Sequence, residues 1–175
     1  MAVEVSDGLL ARADEIAREL VRVATENGLT VSTAESCTAG MVASLIADVP
    51  GASAVLRGGA VTYCDEVKHR VLGVATVTLE RYTAVSRQTA FEMAAGSRRL
   101  FGSDAAVSLT GYAGPGGGTV EDSAGTVYIG IDDEAGARVE RCSFTGGRNE
   151  VRLRAAVRAL ELLVDSCGVR AGSER

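Results

Sequence analysis

Residues 29–48 read LTVSTAESCTAGMVASLIAD, and they set the architecture of the chain. The apolar run over 29–33 predicts a short strand, and the small residues after it lead into a helix predicted over 36–48. A strand that passes directly into a helix is the building unit of α/β sheets. Because ligands bind at the carboxyl ends of strands in such sheets, residues 33–40 are the first candidate for a functional site.

The alternation of helix and strand continues on both sides of this stretch. Apolar residues at three- and four-residue spacing predict further helices at 7–27, 65–72, 86–100 and from 149 onward. Short apolar runs predict further strands at 54–63, 105–109, 126–131 and 137–144. The last two strands are expected to form an antiparallel hairpin with a loop of about five residues. This order predicts an α/β fold with a mixed sheet and, because no long linker interrupts it, one domain.

Several local features carry predictions of their own. Gly58 and Gly59 interrupt a strand pattern, which indicates a bulge or a close approach of two backbones. Asp65 and Ser86 are residue types that cap helices, and each stands where a helix is predicted to begin. Leu10 belongs to the apolar stripe of the first helix, so we expect it to face the core.

The chain has 175 residues and a formal net charge of −5, which limits its classes of function. Its arginines are scattered, so a nucleic-acid partner is not expected. No apolar stretch approaches the roughly 18 residues of a membrane span. The first residues lack the basic flank and apolar core of a secretory signal, so we expect a cytoplasmic protein. The four cysteines are isolated, which favours free thiols, and the single histidine, His69, excludes a two-histidine metal site.

Lysine usage singles out one residue. Of the 18 basic residues, every one except Lys68 is an arginine. An ammonium can lose its proton when its pKa is lowered, whereas a guanidinium cannot, so Lys68 is a candidate base or amine nucleophile. Its place in the first turn of a predicted helix disfavours the ammonium, while Asp65 and Glu66 favour it. Tyr63 could relay a proton or orient the amine; the alternative is that Lys68 is a surface residue left by chance.

Ser36 is the candidate nucleophile for such a base, because Ser–Lys pairs are an established form of the activated serine. Free N–H groups at the start of the following helix could hold an oxyanion, and the small residues Ala39 and Gly40 would let a substrate approach. The alternative is that Ser36 only caps the helix. Cys37 is a rival nucleophile, although adjacent helical residues point in different directions. For His69 a solvated helix face is favoured over a catalytic role.

A glycine-rich segment follows the predicted strand 105–109. Residues 110–119 read TGYAGPGGGT, and their accessible amides suit a phosphate group; the alternative is a flexible turn. The segment is not a Walker loop, because Gly118 stands where the lysine would be. Arg148, at the start of the last helix, could clamp a phosphate bidentately or remain solvated.

Together and in this order, these segments resemble the CinA C-terminal domain family, whose members include nicotinamide mononucleotide deamidases. The family's AESCTGG appears as AESCTAG at 34–40, and its VTYSNxxK appears as VTYCDEVK at 61–68. Its SGxAGPxGG appears as TGYAGPGGG at 110–118, and its GTVxx matches GTV at 125–127. Its GAVS matches residues 83–86 in the last three positions only.

The resemblance implies a three-layer α/β/α sandwich with a mixed, mostly parallel sheet, as a single domain over 1–175 with its core at about 8–165. It implies hydrolysis of the carboxamide of nicotinamide mononucleotide without metal or cofactor. Ser36 would be the nucleophile, Lys68 its general base and Tyr63 an assisting hydroxyl. The implied substrate-binding residues are Glu35, Thr38, Ala39, Gly40, Thr110, Gly111, Ala113, Gly114, Gly117 and Arg148. The amides around 38–40 and the 111–118 loop would bind the oxyanion and the phosphate, in an order that stays open.

Two departures from the family pattern leave alternative functions open. Ala39 replaces a family glycine, and Gly147 replaces the aspartate of a GDR motif, which puts the role of Arg148 in doubt. One alternative is a nucleotide-binding module of the same fold without turnover, and another is a hydrolase of a different amide or ester. The expected partner is a small nucleotide substrate, with no nucleic acid and no membrane. We also expect a homo-oligomer, because small enzymes of this kind often associate through symmetric interfaces.

Overall fold

A computed structural model describes residues 7–168 of the chain. Residues 1–6 and 169–175, which the domain prediction includes, lie outside the described part. The strands are β1 (Val31–Glu35), β2 (Leu56–Val61), β3 (Ala105–Gly111), β4 (Thr126–Asp133) and β5 (Gly136–Ser143). The helices are α1 (Asp7–Glu26), α2 (Met41–Ala47), α3 (Asp65–Leu72), α4 (Thr76–Tyr82), α5 (Arg87–Phe101) and α6 (Arg148–Gly168), with one 3₁₀ turn at Ala52–Ala54.

The five strands form one sheet in the order β2-β1-β3-β4-β5. β1 pairs in parallel with both β2 and β3, and β4 runs antiparallel between β3 and β5. Four of the five strands therefore share one direction. Helices α1, α2 and α6 cover one face and α3, α4 and α5 the other. The predicted α/β/α sandwich with a mixed, mostly parallel sheet is confirmed.

Two of the three apolar clusters within residues 7–168 pack helices against the sheet. The larger one lies between the sheet and helices α1 and α6, and includes Leu20, Ile129 and Leu160. The smaller one lies under α5, where Met93 packs with Leu72 at the end of α3. Side chains buried to this extent each contribute about 1.5–3 kcal/mol to the transfer from water. The smaller cluster bears directly on the site because it places α3.

The junction between β1 and α2 differs from the prediction. β1 ends at Glu35, and Ser36 still donates its N–H to the carbonyl of Leu109, so strand pairing continues past residue 33. α2 begins at Met41, with Gly40 as its N-cap at φ 93. Ser36 is therefore not a helix cap. The helix cannot begin at residue 36 because Ala39 and Gly40 both take left-handed backbone conformations.

Other boundaries were also wrong. β4 reaches Asp133 and β5 begins at Gly136, so the hairpin loop is Glu134-Ala135 and not five residues. Gly136 takes φ 101, which lets this short turn close. Asp65 is the first residue of α3, and Cys64 takes the N-cap position.

The predictions from sequence for Leu10 and for the segment of α4 were also wrong. Leu10 is 49% exposed, so the stripe of α1 that faces the core begins at Ala13. The short helix α4 was not predicted, because its sequence contains β-branched residues and has little helical periodicity. It is supported by Glu92, whose carboxylate accepts from the N–H of Ala75 and the hydroxyl of Thr78.

Two local predictions are confirmed. The pairing of β1 with β2 shifts register between Val31 and Ser32, which is the expected bulge. A Cβ on Gly59 would lie 2.5 Å from Thr33 Oγ1, and one on Gly58 would lie 2.6 Å from the ring of Phe101. Ser86 caps α5 by accepting the N–H of Thr89. Within residues 7–168, none of the helices has the length and apolar character that a bilayer span requires.

Candidate active site

The site lies at the carboxyl ends of the three parallel strands. From β1 the chain crosses to β2 on one side, while β3 lies on the other, so strand order reverses between β1 and β3. Crevices at such a reversal are where ligands bind in open α/β sheets. Ser36 follows β1, Tyr63 follows β2, and Gly111 ends β3. Side chains from these three segments line a pocket of about 240 Å³, called here the reaction pocket.

A serine–lysine pair forms the floor of the reaction pocket. Lys68 Nζ lies 3.1 Å from Ser36 Oγ and donates to the carbonyl of Thr62 at 2.8 Å. The Lys68 side chain is 1% exposed, and this burial lowers the pKa of its amine, against the smaller opposing effects of Asp65, Cys64 and Cys37. A neutral amine at this distance can accept the proton of the Ser36 hydroxyl.

The two rival residues are less suited to the chemistry. Cys37 also lines the reaction pocket, but burial raises the pKa of its thiol to about 11. It is therefore protonated near neutral pH, and a protonated thiol is a poor nucleophile. His69 lies outside the pocket, with its Nδ1 2.8 Å from the carbonyl oxygen of Val74. Ser36 with Lys68 is the pair that the geometry favours.

The turn after Ser36 is held by Arg152, a residue that the sequence did not single out. Its Nε donates to the carbonyl of Cys37 at 3.0 Å and its Nη2 to the carbonyl of Thr38 at 2.8 Å. The C=O and N–H of one peptide unit point in opposite directions, so these bonds orient the amides of the turn. Arg152 lies one helical turn beyond Arg148 on α6, and this i, i+4 spacing was the available signal.

Glu35 has a different role from the one the resemblance implied. Its carboxylate is fully buried and accepts the N–H groups of Gly40, Val42 and Ala43. The N-terminus of α2 is thus occupied by the protein's own carboxylate. Gly40's amide is not free for an oxyanion, and Glu35 does not line the pocket.

The amide of Cys37 is a candidate oxyanion donor. Cys37 lines the reaction pocket, and its N–H donates to no backbone carbonyl within residues 7–168. The amide of the residue after the nucleophile is a common donor to developing negative charge. Ala39 cannot serve, because its N–H donates to the carbonyl of Ser36.

Arg148 links the two rims of the reaction pocket. Its Nη2 donates to the hydroxyl of Tyr63 at 3.0 Å, and its Nη1 donates to the carbonyl of Gly114 at 3.1 Å. Tyr63 is 59% exposed and makes no hydrogen bond to Ser36 or Lys68. Arg148 therefore joins the segment after β2 to the glycine-rich loop.

The glycine-rich loop lies against the neighbouring segments. Thr110 Oγ1 donates to the carbonyl of Ala84 at 2.6 Å. Gly111 admits no side chain, because a Cβ there would lie 2.5 Å from the carbonyl oxygen of Thr126. Thr110 and Gly111 therefore form one wall of the reaction pocket, and Ala113 and Gly114 continue it.

The structure brings together most of the residues implied by the resemblance, but not all. Those that line the reaction pocket are Ser36, Lys68, Tyr63, Thr110, Gly111, Ala113, Gly114 and Arg148. Those that do not line it are Glu35, Thr38, Ala39, Gly40 and Gly117. Tyr112 and Gly116 also line the pocket, within the predicted 111–118 loop, whereas Ala84 and Val85 were not predicted as site residues. Over the described range 7–168, no group of three or more His, Cys, Asp or Glu side chains is placed to hold a metal ion.

The fold and the pocket define an α/β/α protein with a serine–lysine pair at the point where strand order reverses. A sequence model of the CinA C-terminal domain matches residues 13–167. The chain belongs to the CinA C-terminal domain family.

Known relatives agree with this assignment. A CinA-like protein from Geobacter sulfurreducens is 44% identical over 160 residues, which are 91% of this chain and 39% of that protein. A CinA-like protein from Myxococcus xanthus is 50% identical over 137 residues, 78% of this chain and 32% of the relative. The chain therefore spans about two fifths or less of the length of these relatives. The crystal structure of the competence/damage inducible protein CihA from Agrobacterium tumefaciens is 39% identical and superposes with a TM-score of 0.86, covering 94% of this chain and 98% of that one.

Proposed function

We propose that the protein is a metal-free amidohydrolase that converts nicotinamide mononucleotide to nicotinate mononucleotide and ammonia. The observation that carries the proposal is the 3.1 Å distance between Lys68 Nζ and Ser36 Oγ, with the amine buried. A serine whose proton can pass to a neutral lysine is an activated nucleophile for a carbonyl carbon. The substrate class is taken from the family resemblance, and the crevice at the strand ends is where ligands bind in open α/β sheets.

The first half of the reaction forms an ester. The Ser36 hydroxyl gives its proton to Lys68 Nζ as Oγ attacks the carboxamide carbon of the substrate. The negative charge on the carbonyl oxygen is stabilised by the amide of Cys37. The C–N bond then breaks, and the protonated Lys68 returns a proton to the departing nitrogen, which leaves as ammonia.

The second half regenerates the serine. Lys68 accepts a proton from water as the water oxygen attacks the nicotinoyl ester on Ser36. The ester bond breaks, Ser36 Oγ recovers its proton from Lys68, and nicotinate mononucleotide leaves. Tyr63, at the exposed rim and bonded to Arg148, assists by positioning the substrate over the pair.

The test is ammonia release from nicotinamide mononucleotide in the presence of a chelator. We expect turnover by the native chain, loss of it in Ser36→Ala, and a fall of at least about 10²-fold in Lys68→Arg, because a guanidinium keeps its charge. Since the base must be deprotonated, the rate should rise with pH and level off above the Lys68 pKa, which burial holds below the usual range. Full turnover by Lys68→Arg would remove Lys68 as the base.

The same assay distinguishes the proposed amidohydrolase from a binding module without turnover. Calorimetric binding of nicotinamide mononucleotide with no ammonia after long incubation would favour that module. The departures at Ala39 and Gly147 do not by themselves support it. Ala39 is exposed outside the reaction pocket, and Gly147 contributes its carbonyl as acceptor for the N–H of Val151 in the first turn of α6.

A further inference from the structure

A second cavity of about 500 Å³ lies beside the reaction pocket, and Val85 and Tyr112 line both. It is called here the arginine cavity, after Arg81, Arg87 and Arg141 in its wall. The shared residues make the two cavities neighbours along the carboxyl edge of the sheet. A ligand with one group in each cavity would pass Val85 and Tyr112.

The arginine cavity carries unpaired positive charge. Arg141 forms an ion pair with Asp122 at 2.9 Å, and Glu121 is the other carboxylate of the wall. Arg87 donates to the carbonyl of Val139, and Arg81 lies over the ring of Tyr82 at 5.3 Å. Neither of these two arginines forms an ion pair within the described part of the chain. Three arginines against two carboxylates leave the wall with a net charge of +1.

The N-terminus of α5 adds to this positive potential. Arg87 and Gln88 are the first two residues of this 15-residue helix, and both line the arginine cavity. The amides of Arg87 and Gln88 have no intrahelical carbonyl to donate to, and the Ser86 side chain accepts the N–H of Thr89. The positive end of the helix dipole and these amides favour an anion.

A strained residue stands in the same wall. Thr83 has φ 69 and ψ 173, a region that is essentially reserved for glycine. The matching family motif, GAVS, has glycine at this position. The carbonyl of Thr83 is held by the hydroxyls of Ser86 and Thr89, at 3.3 and 2.7 Å. Strain of this kind persists where the surroundings over-determine it, and strained residues cluster at active sites and ligand clamps.

We propose that the arginine cavity binds the phosphate monoester of the substrate while the carboxamide occupies the reaction pocket. This inference rests on the proposed function and names the group that binds the far end of the nucleotide. Arg87 and Arg81 supply the charge, since arginine matches phosphate geometry bidentately. Arg148 is the competing candidate, but its two Nη atoms already donate to Tyr63 and Gly114.

The kinetic test compares nicotinamide mononucleotide with nicotinamide riboside, which lacks the phosphate. Arg87→Gln and Arg81→Gln should each lower kcat/KM for the mononucleotide by about tenfold or more and leave that for the riboside unchanged. Arg18→Gln, at an exposed ion pair on α1, is the matched control and should change neither. A loss that is equal for both substrates in Arg87→Gln would overturn the inference.

A binding test keeps the inference separate from catalysis. Ribose 5-phosphate should bind to the native chain and to Ser36→Ala with equal affinity in calorimetry, and at least tenfold more weakly to Arg87→Gln. If ribose 5-phosphate binding survives in Arg87→Gln and Arg81→Gln but is lost in Arg148→Gln, the phosphate lies elsewhere and the inference fails. If the binding depends on Arg87 but no ammonia is released, the proposed function fails and the phosphate site stands. Thermal unfolding of each variant distinguishes loss of a contact from loss of the fold.

Discussion

Ala39 shows how one residue can depart from its family without touching the chemistry. A narrower approach for the substrate is expected where alanine replaces glycine beside a pocket, but Ala39 lies outside the reaction pocket and is exposed. Its backbone has φ 53, so the replacement of glycine by alanine strains the turn that precedes α2. An L-residue in this conformation costs about 1–2 kcal/mol relative to glycine.

Ala39→Gly is therefore expected to stabilise the protein by about 1 kcal/mol, or roughly 2–4 °C in Tm for a chain of this size. Differential scanning calorimetry measures this directly. Ala43→Gly, within the regular part of α2, is the matched control and should destabilise by about 0.5–1 kcal/mol. Equal destabilisation by both changes would show that residue 39 carries no strain.

Glu35 gives a second prediction for a single side chain. Its carboxylate accepts three N–H groups at the N-terminus of α2. A side-chain amide would replace one of the two acceptor oxygens by an NH₂ group, which is a donor and would lie against the N–H donors of the helix. Glu35→Gln should lower the free energy of unfolding by about 2–3 kcal/mol in a denaturant titration. Glu66→Gln, at an exposed pair with Arg70, should cost less than about 0.5 kcal/mol.

The kinetics of Glu35→Gln separate its two possible roles. A residue that only holds the turn should affect kcat more than KM for nicotinamide mononucleotide. A rise in KM with kcat unchanged would show that Glu35 contributes to substrate binding.

Among the helices, α3 matters most because it carries Lys68, the proposed general base. It lies close to α5 at Gly96, where an added Cβ would come within 2.1 Å of the carbonyl oxygen of Leu72. The same carbonyl accepts from Arg99 Nη2 at 3.1 Å, so it has a fixed position. The distance between Lys68 and Ser36 thus depends on a glycine on a third element.

Gly96→Ala should push α3 away from α5, which costs about 1–3 kcal/mol of stability. A displacement of Lys68 by about 1 Å would lower ammonia release by on the order of 10²-fold. Gly8→Ala, on α1 with open space around it, is the control and should leave both quantities nearly unchanged. Full activity together with reduced stability would show that α3 tolerates the shift.

The elements that sequence patterns predicted well are those with a regular period or a specific capping residue. Helices α1, α5 and α6 and the glycine pair in β2 belong to this group. The start of α2 was misplaced because Ala39 and Gly40 take left-handed backbone conformations, and the nearby Glu35 accepts the amides of the first turn of the helix. The helix α4 was missed because its support comes from Glu92 on α5. Propensity cannot register a partner that is distant in sequence.

The residues of the site also divide into those that local sequence predicts and those that only the packing of the fold reveals. Ser36 and Lys68 were predictable from residue chemistry and motif, but their separation and the burial of Lys68 come from the packing of α3. Arg152 and the arginine cavity gave no local signal, because their roles arise only where α6 meets the turn after β1 and where α5 meets the glycine-rich loop.

For the whole molecule, the position of the site at the reversal of strand order explains how segments far apart in sequence meet. Residues from the ends of β1, β2 and β3 converge there because the three strands are parallel neighbours. Helix α6, from the far end of the chain, closes the assembly through Arg148 and Arg152.

Self-association is the remaining prediction for the whole molecule. Large apolar side chains, among them Val77 and Phe91, are exposed on the helices of the α3–α5 face. Such side chains commonly become buried in symmetric interfaces. Light scattering is expected to give a multiple of the 18.0 kDa chain mass. A mass of one chain at micromolar concentration would contradict the expected homo-oligomer.

Lys68 has a practical value beyond its chemistry. Apart from the α-amino group, its Nζ is the only primary amine that the chain can offer to an acylating reagent. Modification of that amine can therefore be followed on the single peptide that contains Lys68, apart from the α-amino group. Measured over a range of pH, the rate of acylation would read the proton affinity of Nζ directly, with no background from other lysines to subtract.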